Sequence, residues 1–346
     1  MIREWSETAA RVVVEDPSQV GETRRMATAL ADRLGLDHTE RGRVGIVATE
    51  VARNLIHHAG GGEVVLVPVW RPGRRGLSVI GLDRGPGIPD LAVAMRDGYS
   101  TAGTPGTGLG AIARQSDLFD AYSIPGRGTA VLAHVCADLP PRGETALPTE
   151  AGAISLAKRG EEVCGDAWAV VDPRLGALRL FAVDGLGHGG GAAQAAIEAV
   201  RVAREHSRLP PAELLQRAHA ALRHTRGAAV GIADLLPGEG LVRFAGVGNV
   251  AGVIWDGESS RSMVSHNGTV GHELRKVQEF TYPVSEGGLV IVHTDGLRTG
   301  WAPDRYPGLA MRHPLLVAAV LYRDHDRDRD DVTVLVAPAR PRNALN

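Results

Sequence analysis

Three groups of residues in the first half of the chain have the types and spacing that suit a nucleotide site. Glu50 and Asn54 are four positions apart in a stretch with helical spacing, so their side chains share one face. A carboxylate and an amide placed together can order a magnesium ion and polarise a hydroxyl group. Asp83 ends an apolar run, where its carboxylate can accept a hydrogen bond from an adenine amino group. Gly85 and Gly87 after it permit a tight turn and close approach of a ligand to the backbone.

The third group is the Gly/Thr-rich segment 100–115, which runs into an apolar helix. Free backbone N–H groups and the positive end of that helix suit phosphate groups. The segment lacks the lysine of a P-loop and does not directly follow a strand, which argues against the Walker and Rossmann interpretations. Taken singly, each of the three groups fits an exposed polar pair or a surface turn equally well. Their order along the chain favours a nucleotide site.

Acidic residues recur in the second half of the chain beside apolar runs that have the character of strands. Asp184 and Asp295 each end such a run within an Asp-Gly-Leu sequence, and Asp330 opens another. Asp166 supplies a fourth carboxylate. Carboxylates at strand ends can converge on one edge of a sandwich, where a hard divalent cation relieves their mutual repulsion. Any one Asp-Gly pair also fits a β-turn, so only the whole set indicates a metal site.

The elements that must position these residues fall into two domains. A polar segment at 138–150 contains three prolines and predicts a linker between a first domain at 1–137 and a second at 151–338. Two helices followed by paired strands predict α+β layering in the first domain, and many strands with few helices predict two packed sheets in the second. The predicted helices are 21–36, 43–58, 191–206 and 211–224, and the predicted strands are 63–69, 77–82, 129–135, 178–183, 240–244, 251–255, 288–293 and 332–336.

The composition and net charge limit the kinds of molecule that the chain is expected to bind. The chain has 38 basic and 40 acidic residues and a net charge of −2, so we expect neither nucleic-acid nor membrane binding. Two cysteines are too few for a disulfide framework or a thiolate zinc site. No apolar stretch has the length of a membrane helix, and charges occupy the positions where a signal peptide is apolar. We therefore expect a cytoplasmic protein.

With its motifs in this order, the first domain resembles the GHKL (Bergerat-fold) ATPases, and especially the anti-sigma serine kinases of the RsbT type. The likeness covers residues 12–135 and rests on EVARNLIHHAGGG, DRGPGIPD and MRDGYSTAGTPGTGLGA. It implies an α/β sandwich that binds ATP and Mg²⁺, with Glu50 as the catalytic base and Asn54 holding the metal. Asp83 would read adenine with help from Thr129. The lid over the phosphates would consist of Gly106, Thr107, Gly108 and Gly110.

The second domain resembles the metal-dependent PP2C-type serine/threonine phosphatases, in particular their RsbX and sporulation-phosphatase branch. CGDAW, AVDGLGHG, IVHTDGL and RDDVTVLV occur in the family's order within 151–338. The likeness implies an αββα sandwich with two Mn²⁺ or Mg²⁺ ions. Asp184 would bridge both ions, the Gly185 carbonyl would bind one, Asp295 and Asp330 would complete the other, and Asp166 would bind directly or through water.

The second domain departs from the larger members of that family at two points. Gly165 stands where they have an acidic residue, so the second ion is expected to bind weakly. Their phosphate-binding arginine has no clear counterpart, and the candidates are Lys158, Arg159 and Arg226.

Together the two resemblances imply a bifunctional partner-switching regulator. The N-terminal domain would phosphorylate, and the C-terminal domain dephosphorylate, serine or threonine on STAS-domain anti-sigma antagonists or stressosome proteins. One alternative is a phosphatase whose N-terminal domain only binds nucleotide or a partner and gates it. Another is a second domain kept only as a scaffold, against which Asp184, Asp295 and Asp330 argue.

Overall fold

The computed structural model describes residues 2–5, 8–71, 74–95, 108–137, 151–174 and 176–340. The chain forms two compact units. One is Ala9–Glu144, here called the N-terminal unit. The other joins Thr145–Asn346 to the segment Met1–Thr8 and is called the C-terminal unit.

The helices and strands are numbered in chain order. The strands are β1 (Ile2–Trp5), β2 (Ala10–Val14), β3 (Gly62–Arg71), β4 (Arg74–Leu82), β5 (Leu118–Ile124), β6 (Gly128–Ala137), β7 (Gly152–Leu156), β8 (Asp166–Val171), β9 (Leu178–Gly185), β10 (Ala228–Leu236), β11 (Leu241–Val247), β12 (Ala251–Trp255), β13 (Ser260–Met263), β14 (Ser265–His266), β15 (Phe280–Pro283), β16 (Leu289–His293) and β17 (Val332–Pro338). The α-helices are α1 (Ser18–Arg33), α2 (His38–Asn54), α3 (Leu91–Ala94), α4 (Gly108–Gln115), α5 (Gly190–Glu205), α6 (Pro211–Ala221) and α7 (Pro314–His325).

The N-terminal unit is one antiparallel sheet with helices packed against it. The strand order is β2-β3-β4-β6-β5, and α1 and α2 share one apolar core with the sheet. Helix α2 begins earlier than predicted because Asp37 and Glu40 form a capping box ahead of the apolar run. It continues as a π-helical turn, Leu55–Ala59, and stops at Gly60 in the left-handed conformation (φ 73°). The α+β layering predicted for this half is confirmed.

The C-terminal unit is a sandwich of two sheets. The first has the order β1-β8-β9-β10-β11, with β14 and β15 both on β11, and the second has the order β13-β12-β16-β17-β7. Buried side chains from both sheets, among them Trp168, Phe244 and Val290, form the core between them. Helices α5 and α6 pack on the outer face of the first sheet, and α7 packs on the outer face of the second. The predicted αββα architecture is confirmed.

Strand β1 is part of the C-terminal unit, although it precedes the N-terminal unit in the chain. It pairs antiparallel with β8, with Ile2 opposite Val171. Backbone pairing at a sheet edge decides this, and a strand of four residues carries no periodic signal for it. The predicted linker 138–150 lies outside the described residues.

Three of the strands that the sequence analysis missed are buried along their whole length. All nine residues of β10 are buried, as are all five of β7 and all six of β8. Such strands do not alternate between apolar and polar residues, so their sequences lack the period of two that marks a half-buried strand. Helix α7 is buried along most of its length, so its sequence lacks the amphipathic pattern that marks a helix with one exposed face.

The capping box of α2 can be tested with Asp37→Ala. The Asp37 carboxylate accepts from the Glu40 N–H at 2.8 Å, and the Glu40 carboxylate accepts from the Asp37 N–H at 2.7 Å. Loss of the cap should lower the free energy of unfolding of the N-terminal unit by about 1 kcal/mol, measured by urea denaturation with circular dichroism. His38→Ala, at the exposed neighbouring position, is the control. Equal unfolding free energies for the two variants would contradict the capping box.

Candidate nucleotide and metal sites

The last turn of α2 carries the first pair of predicted nucleotide residues. Glu50 is 23% exposed, and its carboxylate pairs with Arg53 Nη1 at 3.2 Å. Asn54, one turn later, ends α2 and lies against Gly108, the first residue of α4. A Cβ at Gly108 would lie 2.9 Å from Asn54 Oδ1, so a side chain at position 108 would displace that of Asn54. The positive end of α4 therefore meets a polar side chain at a position that suits a phosphate group.

Asp83 follows the end of β4 and is held there by backbone N–H groups. Its Oδ1 accepts from Gly85 N–H at 2.8 Å and from Thr129 N–H at 3.1 Å. The backbone N–H of Asp83 in turn donates to the Thr129 carbonyl at 3.0 Å. Gly85 is packed so closely that a Cβ would lie 2.7 Å from Ala59 Cα, and Gly87 is left-handed (φ 71°). The structure thus brings Asp83, Gly85 and Thr129 together, as a common adenine-binding site requires.

The predicted lid is described only at its C-terminal end. Gly106 and Thr107 lie outside the described residues. Gly108 and Gly110 belong to α4, and Gly110 is buried. The roles of these residues, and of Glu50 and Asn54, stay predictions.

In the C-terminal unit, strand pairing sets two of the predicted metal ligands side by side. Asp166 begins β8, and Asp184 is its direct partner in β9. Asp166 is 6% exposed, and Thr294 Oγ1 donates to its Oδ2 at 2.7 Å. Burial and the neighbouring Asp184 charge hold the pKa of Asp166 well above its ordinary value. Burial, followed by the charges of Asp295, Asp330 and Asp331, raises the pKa of Asp184 to about 7.

Asp295 and Asp330 lie close to Asp184 at the same end of the sandwich. Asp295 follows β16, and Asn249 Nδ2 donates to its Oδ2 at 2.6 Å. Burial and the Asp330 charge raise the pKa of Asp295. Asp330 is exposed and, together with Asp295, lines a cavity of about 510 Å³. The structure therefore brings the carboxylates of Asp166, Asp184, Asp295 and Asp330 to one region, as the sequence predicts.

This carboxylate cluster suits a hard divalent cation by the chemistry of its donors. All are oxygen ligands. The pKa values of Asp166, Asp184 and Asp295 are raised by burial first and then by neighbouring carboxylates, and a bound cation would relieve that repulsion. No three His, Cys, Asp or Glu side chains within the described ranges form a preassembled metal-binding group. Since Asp166 and Asp295 are hydrogen-bonded to Thr294 and Asn249 instead, ion binding requires side-chain rearrangement.

Asp331 is a buried carboxylate of this cluster that sequence reasoning left aside. It is 3% exposed and accepts from Lys158 N–H at 2.8 Å and from Gly165 N–H at 2.7 Å. A Cβ at Gly165 would lie 2.7 Å from Asp331 Oδ2 and 2.8 Å from Ala192 Cβ. Glycine at 165 therefore has a steric cause. The adjacent pair of aspartates in the sequence was the available signal, but only the fold shows which one turns inward.

The remaining residues predicted for this site lie around the turn after β9. Gly185 ends β9, and its N–H donates to the Gly165 carbonyl at 3.2 Å. A Cβ there would lie 2.2 Å from the Ala192 carbonyl, so glycine is required by the close approach of α5. Arg226 packs over Gly191, whose Cβ would lie 2.6 Å from its Nε. The metal-binding role of Gly185 stays a prediction.

Comparisons with known proteins agree with both halves of this description. Residues 13–134 match the histidine kinase-like ATPase domain, and residues 175–340 match the stage II sporulation protein E family. The serine/threonine-protein kinase RsbT of Bacillus subtilis (strain 168) is 37% identical over 110 residues, which span 32% of this chain and 83% of RsbT.

Two solved structures each align with just over half of this chain. One, from the bacterial stressosome, a modular system adapted to control secondary messenger signalling, is 29% identical with a TM-score of 0.51, and covers 55% of this chain and 98% of its own. The other, RsbX in complex with magnesium, is 20% identical with a TM-score of 0.49, and covers 55% of this chain and 94% of its own.

The fold and the two family matches show that this protein joins a GHKL-type ATPase domain to a PP2C-type serine phosphatase domain. Through its N-terminal domain the chain belongs to the RsbT serine/threonine kinase family. Within the described part of the chain, no helix combines the length and apolarity needed to cross a bilayer.

Without divalent ions, the free energy of unfolding of the C-terminal unit should fall as pH rises from about 4 to about 7. A carboxyl group whose pKa is raised by folding binds more protons in the folded chain than in the unfolded chain across that interval. Asp184, with a pKa of about 7 against an ordinary 3.8, contributes to this slope, and so do Asp166, Asp295 and Asp331, whose pKa values are also raised by burial. Urea denaturation in EDTA, followed by tryptophan fluorescence, measures the slope.

Two comparisons check the origin of this slope. Asp184→Asn should flatten it, whereas the exposed Asp304→Asn should not. Saturating Mn²⁺ should also flatten it, because a cation stabilises the charged carboxylates. A rise in the unfolding free energy with pH in EDTA would contradict the electrostatic account of the cluster.

Proposed function

We propose that the chain is a bifunctional regulator of a partner-switching system. Its N-terminal unit transfers phosphate from ATP to a protein serine or threonine, and its C-terminal unit removes phosphate from the same class of residue. The observation that carries the proposal is the gathering of Asp166, Asp184, Asp295 and Asp330 at one end of a PP2C-type sandwich. The same chain also contains a domain that is 37% identical to a serine/threonine kinase.

In the kinase half, the residues of α2, β4 and α4 have separate tasks. Bound Mg²⁺ would supply neutralisation of charge on the ATP phosphates. Asn54 would hold that ion, and the N-terminal end of α4 at Gly108 would bind phosphate oxygens beside it. Asp83, fixed by two backbone N–H groups, would accept a hydrogen bond from the adenine amino group, and Thr129 lies beside Asp83. Glu50 would take the proton of the attacking hydroxyl group.

In the phosphatase half, the carboxylates would hold two divalent ions, Mn²⁺ or Mg²⁺. The bound ions would supply a water of lowered pKa and polarise the phosphate. Asp184 is central in this set, since its pKa responds to Asp295, Asp330 and Asp331. The Gly185 carbonyl would complete the ligands on that strand. Asp166 would be oriented by its hydrogen bond from Thr294, and Asp331 by the Lys158 and Gly165 N–H groups.

STAS-domain anti-sigma antagonists or stressosome proteins are the proposed substrates. Support comes from the RsbT relative and from the stressosome structure that aligns with 55% of this chain. ATP as phosphoryl donor places the proposed kinase activity in the cytoplasm. Incubation with a STAS-domain protein and Mg²⁺-ATP, and separately with its phosphorylated form and Mn²⁺, tests the proposal. Phosphate transfer in neither direction would overturn it.

A second function for the N-terminal unit is nucleotide-dependent gating without turnover. The observation in its favour is the ion pair of Glu50 with Arg53 at 3.2 Å, which occupies the carboxylate that would have to accept the hydroxyl proton. In that case ATP would control partner capture or phosphatase activity, and no phosphate would reach the partner.

Glu50→Ala separates the two functions. If Glu50 is the base, the variant should lower phosphate transfer to the STAS partner by at least about 100-fold. ATP affinity, measured by calorimetry, should stay within about threefold, because Glu50 is not among the residues assigned to the nucleotide. The control is Glu22→Ala, an exposed glutamate on α1. Transfer that survives Glu50→Ala would remove the base assignment and favour gating.

Asp184→Asn tests the phosphatase half. The amide keeps the shape of the side chain but removes the charge that the ions need. We expect Mn²⁺-dependent hydrolysis of p-nitrophenyl phosphate to fall by at least about 100-fold, with the fold preserved by circular dichroism. The exposed Asp304→Asn is the matched control. Unchanged hydrolysis in Asp184→Asn would refute the metal assignment.

A further inference from the structure

The cavity of about 510 Å³ at the carboxylate end of the C-terminal sandwich has more basic than acidic groups in its lining. Two carboxylates come from Asp295 and Asp330, and three guanidinium groups come from Arg298, Arg327 and Arg329. We call these three arginines the arginine rim. All three are exposed. Considering only the residues that the structure describes, none of the three side chains forms an ion pair or hydrogen bond with another residue.

The backbone fixes the arginine rim relative to the carboxylates. The Arg298 N–H donates to the His325 carbonyl at 2.9 Å, and the Arg327 N–H donates to the Gly296 carbonyl at 2.9 Å. An isolated β-bridge joins Leu297 to Asp326 between these two bonds. The loop after β16 and the loop before β17 are therefore joined to each other. Asp295 and Asp330 belong to the same two loops. The backbone bonds between these loops therefore fix both the three arginines and the two aspartates.

Charge points to what the arginine rim binds. Three positive groups against two negative ones leave the cavity lining with net positive charge before any cation is bound. A divalent ion at Asp295 or Asp330 makes it more positive still. Guanidinium groups that form no hydrogen bond within the protein favour oxyanions such as carboxylate and phosphate, to which they donate two parallel hydrogen bonds. A phosphate monoester dianion has this chemistry.

The other basic residues considered from the sequence do not line this cavity. Arg159 Nε donates to Asp328 Oδ1 at 2.5 Å, and Arg226 is packed against the turn at Gly187 and Gly191. The Lys158 backbone is used to hold Asp331.

We infer that the arginine rim binds the phosphate group of the phosphoprotein substrate beside the carboxylates of the C-terminal unit. This inference rests on the proposed phosphatase function and assigns its substrate-binding residues. The arginine rim binds the phosphate dianion. It does so in place of the single phosphate-binding arginine, which has no clear counterpart in this sequence.

The test compares Arg298→Ala, Arg327→Ala, Arg329→Ala and the triple variant with Arg217→Ala, an exposed arginine on α6. Hydrolysis of p-nitrophenyl phosphate is measured at saturating Mn²⁺, with inorganic phosphate as product inhibitor. Loss of a rim arginine should raise KM and the inhibition constant for phosphate about tenfold, with kcat changed less than about threefold. Arg217→Ala should change neither constant. The Mn²⁺ concentration for half-maximal activity should stay the same.

Two results would overturn the inference. One is a KM and a phosphate inhibition constant that no rim variant changes. The other is a shift in the Mn²⁺ requirement alone, since the arginines would then only neutralise Asp295 and Asp330. If the unaltered chain hydrolyses no phosphate ester, the phosphatase proposal fails separately. Calorimetric titration with inorganic phosphate in Mn²⁺ then decides on the rim: binding lost in the triple variant supports it, and no binding to the unaltered chain overturns it.

Discussion

Mutual repulsion between carboxylates that strand pairing holds together is the constraint around which the C-terminal unit is organised. Asp166 and Asp184 are direct partners on adjacent strands, so neither can move away without breaking the register of β8 and β9. Burial removes the solvent that would screen their charges, which is why their pKa values rise. Two neutral donors, Thr294 and Asn249, relieve part of the cost for Asp166 and Asp295. A bound cation would relieve the repulsion that remains between the carboxylates, and this gain would contribute to the affinity for the metal.

Backbone N–H groups and glycines solve the same positioning problem in both units. Asp83 accepts from the N–H groups of Gly85 and Thr129, and Asp331 accepts from those of Lys158 and Gly165. A backbone donor cannot rotate away, so each carboxylate is fixed by the same chain that forms the strand beside it. Two of these four donors are glycines: a Cβ at Gly85 would collide with Ala59, and one at Gly165 would collide with the Asp331 carboxylate. The steric requirement at Gly165 therefore explains why an acidic residue is missing there.

Two opposed activities in one chain would dissipate ATP unless their sites respond to different states of the partner. The two candidate sites differ in a way that permits this. The nucleotide residues lie along α2, β4 and α4, where a bound triphosphate would be recognised by its base and its phosphates. The second site presents carboxylates with guanidinium groups at one end of a sandwich, which suits a phosphate dianion on a protein surface. Under the proposed function, the presence or absence of phosphate on the partner would distinguish the two reactions.

The sequence by itself determined the order of the motifs, the two-domain organisation and the residue types at both sites. These are local properties: helical spacing put Glu50 and Asn54 on one face, and an apolar run placed Asp184 and Asp295 at strand ends. Only the tertiary structure decided that Asp331 turns inward, that Arg298, Arg327 and Arg329 share a cavity with the carboxylates, and that the first strand belongs to the C-terminal unit. Each of these depends on pairing between segments far apart in the chain, and such pairing is set by packing of the whole core, which no local pattern records.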